Sequence, residues 1–341
     1  MLEKPNIPEE LIIARLQEEY QLRVLALNFL PLGADMGTAV YRVIADHGTA
    51  YFLKLRRGFD QITVVVPLFL KSQGIQEIIT PVQTKSKQYW TDFDEYTMIV
   101  YPFIDGQDGF EIELTDAHRK ILGKGLKRIH SAQLPPELMR VIPSETFDSK
   151  WRESLKFFQA QVEKNTYQEP TAAKLADFMK TRRKEINDLL ARTEELASEL
   201  QAGPLELVLC HTDLHGGNIL IPTDRQQPGL FIVDWDTPLL APKERDLMFI
   251  GGGIDAIWKS DRDEAVFYRG YGEKEIDLPA LAYYRYERII EDLAAICEQL
   301  LFTGEGGADR ERSYGWFTSN FEPGGTLEIA ESTDQLLKPD R

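Results

Sequence analysis

Residues 210–218 read CHTDLHGGN, and residues 230–236 read LFIVDWD. The first stretch crowds two histidines, an aspartate and an asparagine between apolar runs, LELVL at 205–209 and ILI at 219–221. It is too polar to be core and too short to be a linker. NILI (218–221) and LFIVDWD have the composition of strands, and the turn-rich PTDRQQPG (222–229) lies between them. Together they predict a hairpin, which brings the end of its second strand back beside the start of its first. Asn218 and Asp234 are therefore expected to be neighbours in space, with Asp213 five residues before Asn218 in the same loop. LELVLC (205–210) reads as a short buried strand or an apolar lead-in.

The oxygen donors of Asn218 and Asp234 suit a hard cation. Mg²⁺ binds through one or two carboxylates together with substrate phosphates. Asp213 is then left to orient and deprotonate a hydroxyl nucleophile, the division of labour found in phosphoryl transfer by kinases. That chemistry also needs a cation for the nucleotide phosphates, and Lys54 in YFLKL (51–55) is the candidate. Strand alternation puts Phe52 and Lys54 on one face and Tyr51, Leu53 and Leu55 on the other. Taken singly, each residue has an ordinary reading. Lys54 fits a strand lysine with its amine in water, Asp234 a turn aspartate and His211 a structural loop histidine. GADMG (33–37) alone is a turn and only a weak phosphate loop. The order carries more: strand lysine, hinge near 104, His-x-Asp-x-x-x-x-Asn, hairpin, aspartate. A rival reading gives His211, Asp213 and His215 to zinc for hydrolysis. It leaves Lys54 and Asn218 without a role, and His47, His118 and His130 have no ligand spacing.

The chain has 341 residues, is 43% hydrophobic, and carries 39 basic against 55 acidic side chains, a formal charge of −16. That is enough for two lobes with real cores. An acidic chain is poorly suited to nucleic acid and better suited to a cationic small ligand. Cys210 and Cys297 form no zinc pattern and read as two reduced core thiols. MLEKPNIPEE lacks the apolar segment of a signal peptide, and ITVVVPLFL (62–70) is too short to span a bilayer, so a cytoplasmic protein without membrane contact is expected.

PEELIIARLQEEY (8–20) has helical spacing with Leu11, Ile12, Leu16 and Tyr20 on one side. Residues 25–45 read as strand, turn, strand, and 49–57 as a third strand. Residues 60–73 suggest a helix, with Pro67 arguing for a late start or a kink. Residues 88–104 suggest two strands around the acidic turn DFDE. DGQDGF (105–110) reads as a linker. Helices follow at 114–132, with Thr115 as N-cap, at 171–202 as one long helix or two, and at 278–302. The predicted fold class is α+β: a small β-rich N-terminal lobe (1–104), a hinge at about 102–108, and a larger, mainly helical C-terminal lobe (105–341).

VLCHTDLHGGNIL (208–220) with FIVDWDTPLLAPKERDLMFI (231–250) resembles the aminoglycoside phosphotransferase family, a branch of the protein-kinase-like fold. The family pattern is a His-x-Asp-x-x-x-x-Asn loop, an Ile-Asp-Trp/Phe-Asp/Glu strand end, then Pro-x-x-x-Asp-Leu. APKERDLMFIGGG (241–253), YPFI (101–104), KWRE (150–153) and YYRYERIIEDLA (283–294) are similar to the spectinomycin subgroup. The resemblance spans nearly the whole chain. It implies an ATP- and Mg²⁺-dependent phosphotransferase acting on a hydroxyl of an aminocyclitol or aminoglycoside, spectinomycin first, and so conferring antibiotic resistance.

By the same resemblance Asp213 is the catalytic base or orienting residue, and Asn218 and Asp234 hold Mg²⁺. Lys54 meets the α/β-phosphates. Gly33, Asp35 and Gly37 belong to the nucleotide-positioning loop. Pro102, Phe103 and Ile104 meet the adenine, with Tyr101 or Met98 behind it. Asp246 braces the catalytic loop, or else is an ordinary helix N-cap. The family lysine usually pairs with a glutamate on the next helix. Here RRGFDQITVVV (56–66) offers only Asp60 and Gln61, so Asp60 or nothing is the expected partner. For a cationic acceptor, Asp255, Glu287 and Asp292 are candidate carboxylates, and Trp258 and Tyr284 candidate aromatic faces. Each also fits a solvated acid or a core aromatic. A monomer is expected. The alternatives are a kinase of choline, homoserine, methylthioribose or hygromycin, or a kinase-fold binding protein without catalysis.

Overall fold

The computed structural model describes residues 4–32, 37–224, 226, 229–253, 257–272, 275–304, 307 and 309–337. In chain order the elements begin with α1 (Glu9–Tyr20), β1 (Val24–Leu30), β2 (Thr38–Ala45), β3 (Ala50–Arg56), α2 (Ile62–Ser72), β4 (Thr91–Phe93), β5 (Tyr96–Pro102) and β6 (Gly106–Asp108). Then come α3 (Asp116–His130), α4 (Pro136–Val141), α5 (Lys150–Lys164), α6 (Pro170–Thr181) and α7 (Arg183–Ala202). After them follow β7 (Val208–Cys210), β8 (Ile219–Pro222), β9 (Phe231–Ile232) and β10 (Leu239–Ala241). The chain closes with α8 (Glu244–Leu247), α9 (Asp261–Tyr271), α10 (Leu278–Phe302), α11 (Asp309–Ser319) and α12 (Thr326–Gln335). The fold is α+β, with a β-sheet in the N-terminal region and mostly helix after it.

Contacts divide the chain into two compact units, Met1–Ile142 with Gly216–Pro238, and Pro143–His215 with Leu239–Arg341. This division does not follow the compositional change at 104/105. The segment expected as a linker contains β6, which pairs antiparallel with β8, Gln107 opposite Ile221. Gly106 permits that approach, since a Cβ there would lie 2.4 Å from the Ile221 carbonyl oxygen. A side chain at that position would push the strands apart.

The first unit is built on an antiparallel sheet of order β1-β2-β3-β5-β4. Alternation sends Leu53 and Leu55 of β3 to one face, where they join Ile12, Leu16, Tyr41, Val43, Met98 and Val100 in a dry core. Leu11 does not join them. It is 56% exposed, because 100° per residue carries it off the buried stripe of Ile12, Leu16 and Tyr20. Met98 faces this core and not the opposite face, which carries Lys54, its cross-strand neighbours Val40 and Ile99, and Tyr101 beside Phe52. α2 runs through Pro67 without a break. α3 starts at Thr115, whose hydroxyl accepts the His118 N–H at 3.2 Å. A second sheet, β6-β8-β9, holds the predicted hairpin, with Ile219 opposite Ile232.

The second unit is helical. α10 runs through its middle and packs on α5, α7, α11 and α12. β7 does not extend the hairpin; it pairs with β10, Leu209 opposite Leu240. Cys210 and Cys297 are free and buried. Among the described residues no helix is long and apolar enough to cross a membrane.

Candidate active site

In the first unit β3 presents Lys54 between Val40 and Ile99, both buried and apolar. An ammonium there needs counter-charges. It has two: Nζ donates to Asp234 Oδ1 at 2.8 Å and to both oxygens of Asp236 at 2.8 Å. Burial works against the Lys54 charge, but the two carboxylates outweigh it and raise the pKa. Arg56, two residues on along the same face, lies 2.6 Å from Asp236 Oδ1. Trp235, between the two acids, is buried and donates its indole N–H to the Ile232 carbonyl at 3.2 Å. That anchor turns the acids on either side toward Lys54.

Asp60 is not the lysine's partner. Its carboxylate accepts the Ile62 N–H at 3.0 Å at the start of α2. Asp236 and Arg56 thus belong to the site, and the sequence signal that could have found them was the i, i+2 pairing of cations against acids.

The hairpin places Asn218 next to Asp234 along the chain path. The Val233 N–H donates to the Asn218 carbonyl at 3.0 Å, and Asp234 follows with φ 63°, a left-handed conformation rare outside glycine. Asn218 is buried. Its side-chain oxygen and the Asp234 carboxylate are hard donors of the kind that Mg²⁺ takes. Gly37 accepts the Arg57 N–H at 2.9 Å, while Gly33 and Asp35 lie outside the described residues. In the segment after β5, the Phe103 N–H is already given to the Ala50 carbonyl at 3.2 Å, and Arg42 stacks over the Phe103 ring at 4.5 Å. Pro102 is exposed, and Tyr101 and Ile104 are half-buried.

The second unit holds Asp213. The loop bearing it is fixed by Asp246, which is fully buried and accepts the His211 N–H at 2.9 Å and the Thr212 N–H at 2.7 Å. Thr212 sits at φ 78°. For a β-branched residue this is strained backbone, sustained only where the surroundings enforce it. His211 is wholly buried, and its Nδ1 accepts the Asp213 N–H at 3.3 Å. Among the described residues, His211, Asp213 and His215 do not converge as a set of metal ligands, which removes the zinc reading.

The Asp213 carboxylate is gripped from both sides. Arg288 Nη1 donates to Oδ1 at 2.7 Å, and His215 Nε2 lies 3.3 Å from Oδ2. Burial raises its pKa, but the His215 hydrogen bond and the Arg288 charge outweigh that and hold the carboxyl far below the usual range.

The expected acceptor residues fare differently. Glu287 is buried against Arg152 at 2.7 Å, with Arg152 also bonded to Glu194 and the Phe147 carbonyl. Its carboxylate is thus already engaged within the helical unit. Asp292 pairs with Arg288 at 3.1 Å. Tyr284 is buried and donates to Glu145 at 3.2 Å, so it is a core aromatic. Trp258 packs edge-on against Phe267 at 5.7 Å between centroids. Asp255 lies outside the described residues.

A model of the phosphotransferase enzyme family matches residues 28–284. The chain belongs to this APH family. It is a phosphotransferase with the kinase-like APH fold. A crystal structure of spectinomycin phosphotransferase APH(9)-Ia in complex with ADP and spectinomycin is 34% identical, with 97% of this chain and 100% of that one covered at a TM-score of 0.89. The AMP-bound complex of spectinomycin phosphotransferase APH(9)-Ia is 33% identical over 96% and 99% of the two chains, at a TM-score of 0.84. Choline kinase LicA from Streptococcus pneumoniae shares the fold at 15% identity, with 95% and 99% covered and a TM-score of 0.58. No curated protein matches the chain.

Proposed function

We propose that the protein transfers the γ-phosphoryl group of ATP to a hydroxyl of a cationic aminocyclitol, and that spectinomycin is the acceptor. One observation carries the phosphoryl-transfer reading: Asp213, on a strained loop, has both oxygens engaged and a carboxyl held ionised. Such an ionised group accepts a hydrogen bond from an attacking hydroxyl and orients it in line with the phosphoryl group. The 34% identity to a spectinomycin phosphotransferase along 97% of the chain supports the choice of acceptor.

In this reading residues 1–104 bind the nucleotide, residues 105–341 supply catalysis and the acceptor site, and 102–108 form the hinge. Lys54 binds the α/β-phosphates, Gly37 belongs to the nucleotide loop, and residues 101–104 meet the adenine. Because the Phe103 N–H is spent on Ala50, adenine recognition there falls to other backbone groups. Asn218 and Asp234 would hold Mg²⁺, which when bound neutralises phosphate charge. His211 and Asp246 shape the loop. The protein acts as a cytoplasmic monomer, and the turnover confers resistance.

Product mass after incubation with Mg-ATP and a panel of acceptors tests this. Spectinomycin gaining one phosphoryl group supports the reading. Transfer only to choline, homoserine, methylthioribose or hygromycin keeps the kinase and replaces the acceptor. Nucleotide binding without transfer to any alcohol makes the protein a binding module.

A further inference from the structure

In the family pattern the strand lysine is paired with a carboxylate on the helix that follows. Here that helix, α2, contains no acidic residue. Asp60 just before it is spent on capping, accepting the Ile62 N–H at 3.0 Å. The ammonium of Lys54 is nonetheless buried beside Val40 and Ile99 and requires a permanent partner. Asp234 cannot be that partner throughout the reaction, because on the reading above it turns its carboxylate to the metal.

We infer that Asp236 takes the place of the missing helix carboxylate and is the positioning residue for Lys54, with Arg56 holding Asp236 in place. Both oxygens of Asp236 accept from Lys54 Nζ at 2.8 Å. From the other side Arg56 Nη1 lies 2.6 Å from Oδ1, an ion pair by charge and distance without hydrogen-bond geometry. Lys54 and Arg56 share a face of β3, and the buried Trp235 fixes the approach of Asp236 through its bond to Ile232. Asp234 can then leave Lys54 for the metal without stranding a buried charge. The lysine is aimed by a residue two positions beyond the proposed metal aspartate, and α2 brings no carboxylate to it. This inference rests on the nucleotide reading proposed above.

The test is a double-mutant cycle on Mg-ATP affinity, measured by calorimetry without any acceptor. Asp236→Asn is expected to weaken Mg-ATP binding about 10-fold when Lys54 is present, within the coupling found between charged residues in contact, and to have no effect in a Lys54→Met background. A purely structural role for Asp236 would weaken binding equally in both backgrounds, and that result overturns the inference. Asp236→Glu should recover part of the loss. If Asp236→Asn does not fold, Arg56→Gln is carried through the same cycle with the same two outcomes. Absence of Mg-ATP binding by the unmodified protein overturns the nucleotide reading, and this inference with it. Intact wild-type binding with equal losses in both backgrounds overturns this inference alone.

Discussion

Arg288, midway along α10, donates from Nη1 to Oδ1 of Asp213 at 2.7 Å, so a long helix and not only the loop that bears Asp213 sets the aim of its carboxylate. The same guanidinium binds Asp292, which ties its orientation to the helix that bears it. Arg288→Gln should therefore lower kcat by about 10²-fold, the usual loss when a reacting group is misplaced by an ångström. Mg-ATP affinity should not change. Steady-state kinetics with calorimetry separate the two, and a variant with full kcat would remove Arg288 from the account.

The depressed pKa of Asp213 has a definite sign. A carboxyl whose folded pKa lies below its unfolded value of about 3.9 adds stability above that value and loses it as pH falls through the folded pKa. Between pH 5 and 8 Asp213 stays ionised, so no acid limb in kcat/KM should come from it. Wild type should lose stability between about pH 4 and pH 2 more steeply than Asp213→Asn. Denaturant unfolding at stepped pH compares them, and parallel curves would contradict the assignment.

Asp246 satisfies two buried N–H groups and holds Thr212 in strained backbone. Asp246→Ala leaves both donors unpaired, at about 1–3 kcal/mol each. The expected result is a loss of roughly 2–5 kcal/mol in unfolding free energy, together with most of the activity. A variant that keeps both stability and activity would mean that the loop has another support.

Glu287 gives the opposite expectation. Burial pushes its carboxyl up to about 7 against the pull of Arg152. Glu287→Ala should cost about 1–3 kcal/mol by weakening the hold on one Arg152 nitrogen, while Glu194 and the Phe147 carbonyl keep the rest of the guanidinium engaged. Glu287→Gln, which keeps a hydrogen-bond acceptor, should retain the KM for the acceptor. A large rise in KM with stability intact would restore Glu287 to the substrate site.

These cases also show where the sequence was readable. Asn218 and Asp234 were legible because a hairpin is a local object, and its register follows from turn and strand composition. The faces of β3 followed from alternation alone. The partner of Lys54 was not legible, since Asp236 is 182 positions away and the family expectation pointed to the adjacent helix. Nothing in the spacing of Arg288 points to Asp213, 75 positions away, and only the folded chain makes them partners. β6 was hidden in a Gly/Asp-rich stretch, where a close strand approach and a linker call for the same residues. Glu287 and Asp292 read as acceptor carboxylates or solvated acids, because sequence alone does not show that Arg152 of α5 packs against Glu287 or that Arg288 takes Asp292.

The activity expected of this chain is Asp213-dependent phosphoryl transfer to an alcohol. The measurement is ADP release and product mass from purified protein with Mg-ATP and spectinomycin, with Asp213→Ala beside it. The expected result is one added phosphoryl group with wild type, and turnover lowered by roughly 10²–10⁴-fold in the variant while ATP binding persists. Equal turnover by wild type and Asp213→Ala would contradict the account.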